Sequence, residues 1–350
     1  MGKQQNGPTN PAPRNDDLIV ITGAGGFIAG SLTRYFHDQG FTRIRAIDKK
    51  PLPDWYQRVP GVESLSTDLS EKDNCMSTCE GAVEVYNLAA DMGGMGFIER
   101  FRVQCLRSIL INTHMIEAAY RAGVERYFFS SSACAYNTEL QRGPHAKALK
   151  ESDAYPAMAE RGYGWEKLMS EMFCQEYWAE RGMKTFIARL HNVYGPYGTW
   201  DGGREKAPAA ICRKVIEAKD SGKHEIVVWG DGTQTRSFMY IDDCVKGIDM
   251  IMHCDDLIAT PINLGSSVLI SLSDLVSLVE EIGGVELQRK YDLNAPRGVA
   301  SRNSDNTLIK KILHWEPSTP LREGLEKTYA WIEHQHVDRR AGKHTVCDLI

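Results

Sequence analysis

Thr22-Gly23-Ala24-Gly25-Gly26-Phe27-Ile28-Ala29 follows directly on the apolar run Leu18-Ile19-Val20-Ile21, and the order of these two pieces decides the fold. A short apolar run stopped by glycine reads as a buried strand, predicted over 17–22, and the turn after it opens a helix that runs to about Gly40, a glycine stop. Gly23 and Gly26 permit a tight turn and a close backbone approach to a pyrophosphate, whose charge the helix N-terminus favours. Gly25 lies inside the same turn, Phe27 and Ile28 open the helix, and Ala29 is the small residue that helix-to-strand packing requires. Glycines also simply end strands. It is the strand before and the helix after that turn this motif into a dinucleotide site.

Working outward, short β-rich runs alternate with longer helical patterns. Strands are predicted over 43–48, 62–67, 82–90, 126–131 and 185–189, with helices in the intervals, including long ones over 97–123 and 163–181. This alternation specifies an α/β chain, a Rossmann-type doubly wound parallel sheet. From Gly195 the pattern loosens into Gly- and Pro-rich loops, helices near 207–218 and 272–282 and a short strand near 226–229, which read as a smaller C-terminal substrate-binding lobe. The expected organisation is a disordered leader over 1–16, a nucleotide-binding domain over 17–190, a lobe over 191–335 from which some segments return to the first domain, and a tail over 336–350 that contains Cys347.

Composition removes several alternatives. With 350 residues, 42% hydrophobic and 25% charged, the chain can bury a large core, and its longest apolar runs are far short of the roughly 20 residues that span a bilayer. The leader lacks an apolar segment of the kind a signal peptide carries, so a cytoplasmic protein is expected. Nine scattered cysteines show no metal spacing, and Cys75 and Cys79 have no second pair, so reduced thiols and no metal are expected. A net charge of -5 without a basic, aromatic-interleaved stripe argues against nucleic acid.

Asp48 ends the second strand about 20 residues beyond the glycine turn, where a carboxylate accepts both adenosine ribose hydroxyls and repels a 2'-phosphate. That favours NAD over NADP, with Lys49 and Lys50 next to it as moderating charges. Asp68 ends the third strand and is placed to meet the adenine edge. Tyr163-Gly164-Trp165-Glu166-Lys167 sets a phenol and an ammonium on one helix face. A free tyrosine titrates near about 10, but an ammonium and a positive nicotinamide ring both favour its ionised form, so Tyr163 can take a sugar hydroxyl proton while hydride leaves. Lys167 would hold the nicotinamide ribose, and Ser132, at the end of the fifth strand, would share the substrate proton.

These residues carry a resemblance: the chain resembles the extended short-chain dehydrogenase/reductases, and within them it is similar to the GDP-mannose 3,5-epimerase family. The specific segments are Asp91-Met92-Gly93-Gly94-Met95-Gly96-Phe97-Ile98, Ser131-Ser132-Ala133-Cys134, Gly202-Gly203-Arg204-Glu205-Lys206-Ala207-Pro208 and Arg302-Asn303-Ser304-Asp305-Asn306. The resemblance implies transient oxidation at C4 of a GDP-linked mannose, inversion at C5 and C3, and re-reduction by the same cofactor. It assigns Cys134 and Lys206 as the acid and base of the inversions, and adds Leu88, Ala89 and Ala90 to the cofactor site. For the substrate it implies Gly93, Ser132, Ala133, Asn192, Glu205, Ala207, Lys214, Gln234, Thr235, Arg236 and Arg302, the last two arginines as diphosphate ligands. It also implies a homodimer through the helices over 97–123 and 163–181. Read without the family, Cys134 would be a small buried hydrophobe and Arg204-Glu205-Lys206 a solvated charge run. A simple 4-epimerase would leave Cys134 and Lys206 without work. A 4,6-dehydratase would need an acidic pair where Ala133-Cys134 stands. Asn137 and the loops over 138–150 and 266–300 depart from the family pattern, which leaves another GDP-hexose or a GDP-heptose open as substrate.

Overall fold

Seven parallel strands lie in the order β11-β6-β5-β4-β1-β2-β3, and it is their side-chain alternation that holds both faces of the sheet. The strands are β1 (Ile19–Thr22), β2 (Ile44–Asp48), β3 (Glu63–Ser66), β4 (Glu84–Asn87), β5 (Arg126–Ser132), β6 (Lys184–Leu190) and β11 (Pro261–Leu264). Ile19, Ile21, Tyr86, Phe128 and Phe186 point into one apolar layer, Val20, Val85, Tyr127, Phe129 and Ile187 into the other. Burial on both faces is why these strands read as continuous apolar runs. The computed structural model describes residues 14–142, 146–296 and 298–343. Most of the leader and Cys347 in the tail lie outside those residues.

Helices α1 (Phe27–Asp38) and α8 (Ile241–Met252) cover the first layer, and α2 (Lys72–Cys79), α5 (Ser108–Arg121) and α6 (Tyr163–Arg181) the second. Ahead of α5 run two short helices, α3 (Met95–Arg100) and α4 (Arg102–Leu106). The single helix expected over 97–123 is therefore three pieces. Phe101 breaks it, at φ -114 and ψ 45, and α3 is tied instead to the later part of the chain, where the Gly94 N–H donates to the Arg204 carbonyl at 2.9 Å and the Arg204 guanidinium lies 3.9 Å from the Phe97 ring centroid. The fourth strand is also shorter than expected: residues 88–90 leave the sheet and line the cleft.

The remaining elements, β7 (Val193–Tyr194), α7 (Ala207–Ser221), β8 (Glu225–Trp229), β9 (Thr235–Ser237), β10 (Met239–Tyr240), β12 (Leu269–Ser271), α9 (Leu272–Gly283), β13 (Gln288–Asp292), β14 (Ser301–Arg302), α10 (Thr307–Leu313) and α11 (Leu321–Arg340), build small sheets and a helical layer at the C-terminal end of the strands. Strand β11 and helix α8 come from this later part of the chain yet pack into the large sheet unit. The order of β1 and β4 marks the reversal of the winding, which opens a crevice above the strand ends.

His253, just after α8, ties that helix to β4: Nε2 is 3.1 Å from Glu84 Oε1 and Nδ1 2.8 Å from Asp249 Oδ1. Burial opposes its charge, but the two carboxylates outweigh it and raise the imidazole to about 10. A folded value above the unfolded one, about 6.5, gives stabilisation that is complete below that pH and lost as pH rises through the folded value. The urea midpoint should fall as pH rises from about 6.5 to 10, and His253→Gln should remove that part of the decline. An unchanged pH dependence in the variant would rule out His253 as its source.

Candidate active site

The glycine turn has the shape a pyrophosphate needs. Gly23 has φ +77, and a Cβ there would lie 3.0 Å from the Leu88 carbonyl; at Gly25 it would lie 2.8 Å from the Trp55 ring. Gly26 caps α1 in extended backbone without a side-chain bond, which leaves the helix N-terminus facing the cleft. Thr22 Oγ1 donates to Asn87 Oδ1 at 2.8 Å and accepts from the backbone N–H groups of Leu88 and Ala89, both at 3.2 Å, so one hydroxyl fixes the strand-to-loop path of residues 88–90. A cleft of about 660 Å³ runs from here, lined by Gly23, Gly26, Phe27, Ile28, Asp48, Asp68, Leu88, Ala89 and Ala90 at one end and by Gly93, Ser132, Tyr163, Lys167 and Lys206 at the other. Asp48 accepts from the Lys50 N–H at 2.9 Å, and Lys50 Nζ donates to the Gly25 carbonyl at 3.0 Å. Asp68 is held below the usual carboxylate range chiefly by the Ser70 N–H. Small turns, an aimed helix end and a strand-end carboxylate fit a dinucleotide.

Helix α6 starts on Cys134. A Cβ at Gly164 would fall 2.2 Å from the Cys134 carbonyl oxygen, so glycine is what lets Tyr163 approach the end of β5. Tyr163 and Lys167 are both buried, with Lys167 Nζ 4.8 Å from the Phe129 ring centroid and 5.5 Å from that of Tyr163. The expected depression of Tyr163 by Lys167 is absent here. Burial dominates and pushes the phenol well up, the neighbouring Cys134 and Glu166 add to the rise, and a hydrogen bond with Ser132 works the other way. Burial likewise lowers Lys167. Behind them runs a polar chain drawn from distant parts of the sequence: Glu166 accepts from Asn112, and Asn87 Nδ2 donates to Asn112 Oδ1 at 3.0 Å and to Tyr127 Oη at 2.8 Å.

Cys134 lies in a 3₁₀ turn, Ala133–Ala135, whose first N–H groups Ser132 caps: the Cys134 N–H donates to Ser132 Oγ at 3.2 Å. Burial pushes its thiol up to about 11, Glu160 adds to the rise and Arg302 opposes it. Lys206, the N-cap of α7, lines the cleft and is held there by a loop contact: the Gly94 N–H donates to the Arg204 carbonyl at 2.9 Å, and a Cβ at Gly94 would lie 2.5 Å from the Glu205 carbonyl. Burial lowers its ammonium, and Cys134 acts in the opposite sense.

The other residues implied for substrate sit less centrally. Asn192 Nδ2 donates to the Ser237 carbonyl at 3.2 Å, Glu205 Oε1 is 3.2 Å from Arg213 Nη2, and Lys214 Nζ donates to the Val227 carbonyl at 2.8 Å. Ala207 opens α7, Thr235 Oγ1 donates to Ser301 Oγ at 2.8 Å, and Gln234 lines a separate cavity of about 420 Å³. Arg236 donates to the carbonyls of Thr235, Val299 and Ala300. Arg302 is turned toward Cys134: Nη1 is 3.4 Å from Cys134 Sγ, Nε donates to Gln141 Oε1 at 2.6 Å, and Nη2 is 3.5 Å from Glu160 Oε2. Sequence reading missed Glu160, Gln141 and the buried His191, whose ring burial lowers to about 4. Glu160, three residues before Tyr163, carries no local signal.

This geometry agrees with what the chain is similar to. The model of the "NAD dependent epimerase/dehydratase family" matches residues 19–265. The chain is 42% identical over 330 residues to the GDP-mannose 3,5-epimerase of Arabidopsis thaliana, covering 92% of this chain and 84% of the relative. It is 41% identical over 324 residues to GDP-mannose 3,5-epimerase 1 of Oryza sativa subsp. japonica, covering 91% and 82%. Among solved structures, an epimerase of Methanothermobacter thermautotrophicus superposes with a TM-score of 0.80 at 21% identity, covering 94% of this chain and 95% of the other. With the glycine cradle, the Tyr163–Lys167 helix and a family match spanning most of the chain, this protein belongs to the NAD-dependent epimerase/dehydratase family.

Proposed function

We propose that the chain is a nucleotide-sugar epimerase that converts GDP-mannose to GDP-L-galactose with NAD as its resident cofactor. The observation that carries this reading is the meeting of Cys134 and Lys206 beside Tyr163 and Ser132, above the end of β5. A ketone at C4 acidifies the hydrogens on C3 and C5, and each inversion needs an acid and a base on opposite faces of the ring. A thiol just past the end of β5 and an ammonium at the start of α7 supply that pair. The nicotinamide ring, when bound, supplies a reversible hydride acceptor, so the reaction has no net redox change. Tyr163 and Ser132 move the C4 hydroxyl proton, and Lys167 holds the ribose. The substrate is supported by the relatives named GDP-mannose 3,5-epimerase. Asp48 at the strand end supports NAD over NADP.

Two further readings accompany this one. Leu110 and Tyr120 on α5 and Trp165, Met169 and Met172 on α6 are exposed apolar side chains at helical spacing, a surface suited to a second copy of the chain. The eight described cysteines carry free thiols, which supports a reducing, cytoplasmic setting. No helix among the described residues is long and apolar enough to cross a membrane.

Incubating the enzyme with GDP-mannose in deuterated water should place deuterium at both C3 and C5, followed by NMR. Deuterium at C5 alone would make this a single-site epimerase. Deuterium at neither carbon would end the epimerase reading.

A further inference from the structure

Lys206 stands where a loop becomes a helix, and its two sides are held differently. On the helix side the Ala210 N–H donates to the Lys206 carbonyl at 3.0 Å. On the loop side come Gly202 and Gly203, at φ +89 and +85, where among the described residues a Cβ would meet nothing within 4 Å. An unpacked glycine pair of this kind does not pass a fixed position along the chain. Arg204 and Glu205 supply the anchorage instead. Glu205 turns to α7, with Oε1 3.2 Å from Arg213 Nη2. Arg204 turns toward α3: its guanidinium carbon lies 3.9 Å from the Phe97 ring centroid, and its Nη1 is 3.6 Å from Asp91 Oδ1 and 3.4 Å from the Met92 carbonyl oxygen. Asp91 is itself held by Lys49, whose Nζ is 2.5 Å from Oδ2. Phe97 belongs to the buried cluster that contains Cys134 and Tyr163. Arg204 therefore ties the packing around Cys134 to a loop that reaches Lys206 two residues later.

We propose that Arg204 is a latch, a positioning residue that fixes the spacing between Cys134 and Lys206. An acid and a base that serve one sugar ring from opposite faces need a set separation, and a displacement of about 1 Å can cost about 10²-fold in rate. The Arg204 side chain is 42% exposed, so its ring contact and its ion pair are each modest. Losing them leaves the fold intact and shifts the loop from held toward released by about tenfold. The Gly94 N–H, which donates to the Arg204 carbonyl at 2.9 Å, reports directly on that loop. The inference rests on Lys206 acting in the proposed epimerisation.

The test compares Arg204→Ala with the parent, each with its nicotinamide cofactor bound. Hydrogen exchange of the Gly94 amide should quicken about tenfold in the variant. With GDP-mannose, kcat should fall about tenfold while KM stays within about twofold, the pattern of a group that matters at the chemical step and not for binding. Made in a Lys206→Ala background, the same change should lower the residual rate no further, because a residue that acts through Lys206 has nothing left to position. A rise in KM at unchanged kcat would make Arg204 a substrate ligand and overturn the proposal. An unchanged Gly94 amide, or a further tenfold loss in the Lys206→Ala background, would overturn it too. If the amide loosens as expected while the parent enzyme places deuterium at neither C3 nor C5, it is the epimerase reading that fails and not the latch.

Discussion

Cys134→Ala should lower solvent exchange at C5 of the sugar by about 10²–10⁴-fold, the usual contribution of a positioned acid or base, while the nicotinamide cofactor stays bound and the C4 hydroxyl is still oxidised. The two chemistries are separable because the proposed function gives them to different residues. Cys134 shares a small apolar cluster with Phe97, Ile98, Cys105 and Tyr163 and its sulfur meets Arg302 Nη1 at 3.4 Å, so the substitution removes one member of that cluster and leaves β5 and α6, which carry Ser132, Tyr163 and Lys167, in place. Reduced cofactor should therefore build up at 340 nm on adding GDP-mannose, with no deuterium appearing at C5 by NMR. Undiminished exchange would remove Cys134 from the mechanism. Loss of both cofactor reduction and exchange would instead assign it to substrate placement.

Arg189→Met should destabilise the fold by about 3–5 kcal/mol, since it leaves a carboxylate buried without its partner. Arg189 Nε donates to Glu171 Oε1 at 2.9 Å and Nη2 to Oε2 at 2.7 Å, with both side chains 2% exposed. Nη1 donates to the Glu151 carbonyl at 2.7 Å, and Ser131 donates to Glu171 from β5. The pair joins β6 to α6, the helix that carries Tyr163 and Lys167, so on the proposed reading the loss should also weaken binding of the nicotinamide cofactor. Urea unfolding should show a lower midpoint at unchanged slope. Replacing Glu171 by leucine as well should recover most of the loss, because an apolar pair of similar volume needs no desolvation of charge. A single variant within about 1 kcal/mol of the parent would show that water reaches Glu171 when Arg189 is gone.

Much of the architecture is legible in local pattern. The first strand and its glycine turn, the strand-end aspartate and the Tyr163–Lys167 spacing each depend on residues within a few positions of one another, and local sterics and hydrogen bonding settle their conformation. The broken helix over 95–121 was not legible in the same way, since Phe101 is an ordinary helix residue and the contacts that hold α3, from Gly94 and Phe97 to Arg204, come from about a hundred residues later. Residues 88–90 read as strand because they are apolar, but Thr22, more than sixty residues earlier, accepts from the N–H groups of Leu88 and Ala89, and the segment lines the cleft.

The same division runs through the active site. By itself the sequence determined that a nucleotide would be held at the end of the first strand, because glycine, strand and helix are contiguous and only one backbone path joins them. It also determined that a tyrosine and a lysine would share a helix face. Only the tertiary structure decided the ionisation environment. Burial lifts Tyr163 and Cys134 and lowers Lys167, contrary to what adjacent charges alone suggest. It also decided that Arg302, from the last small strand, and Glu160, from the loop before α6, would meet at Cys134. Desolvation depends on how much of the whole chain closes over a group, and that sum is not written in its neighbours along the sequence.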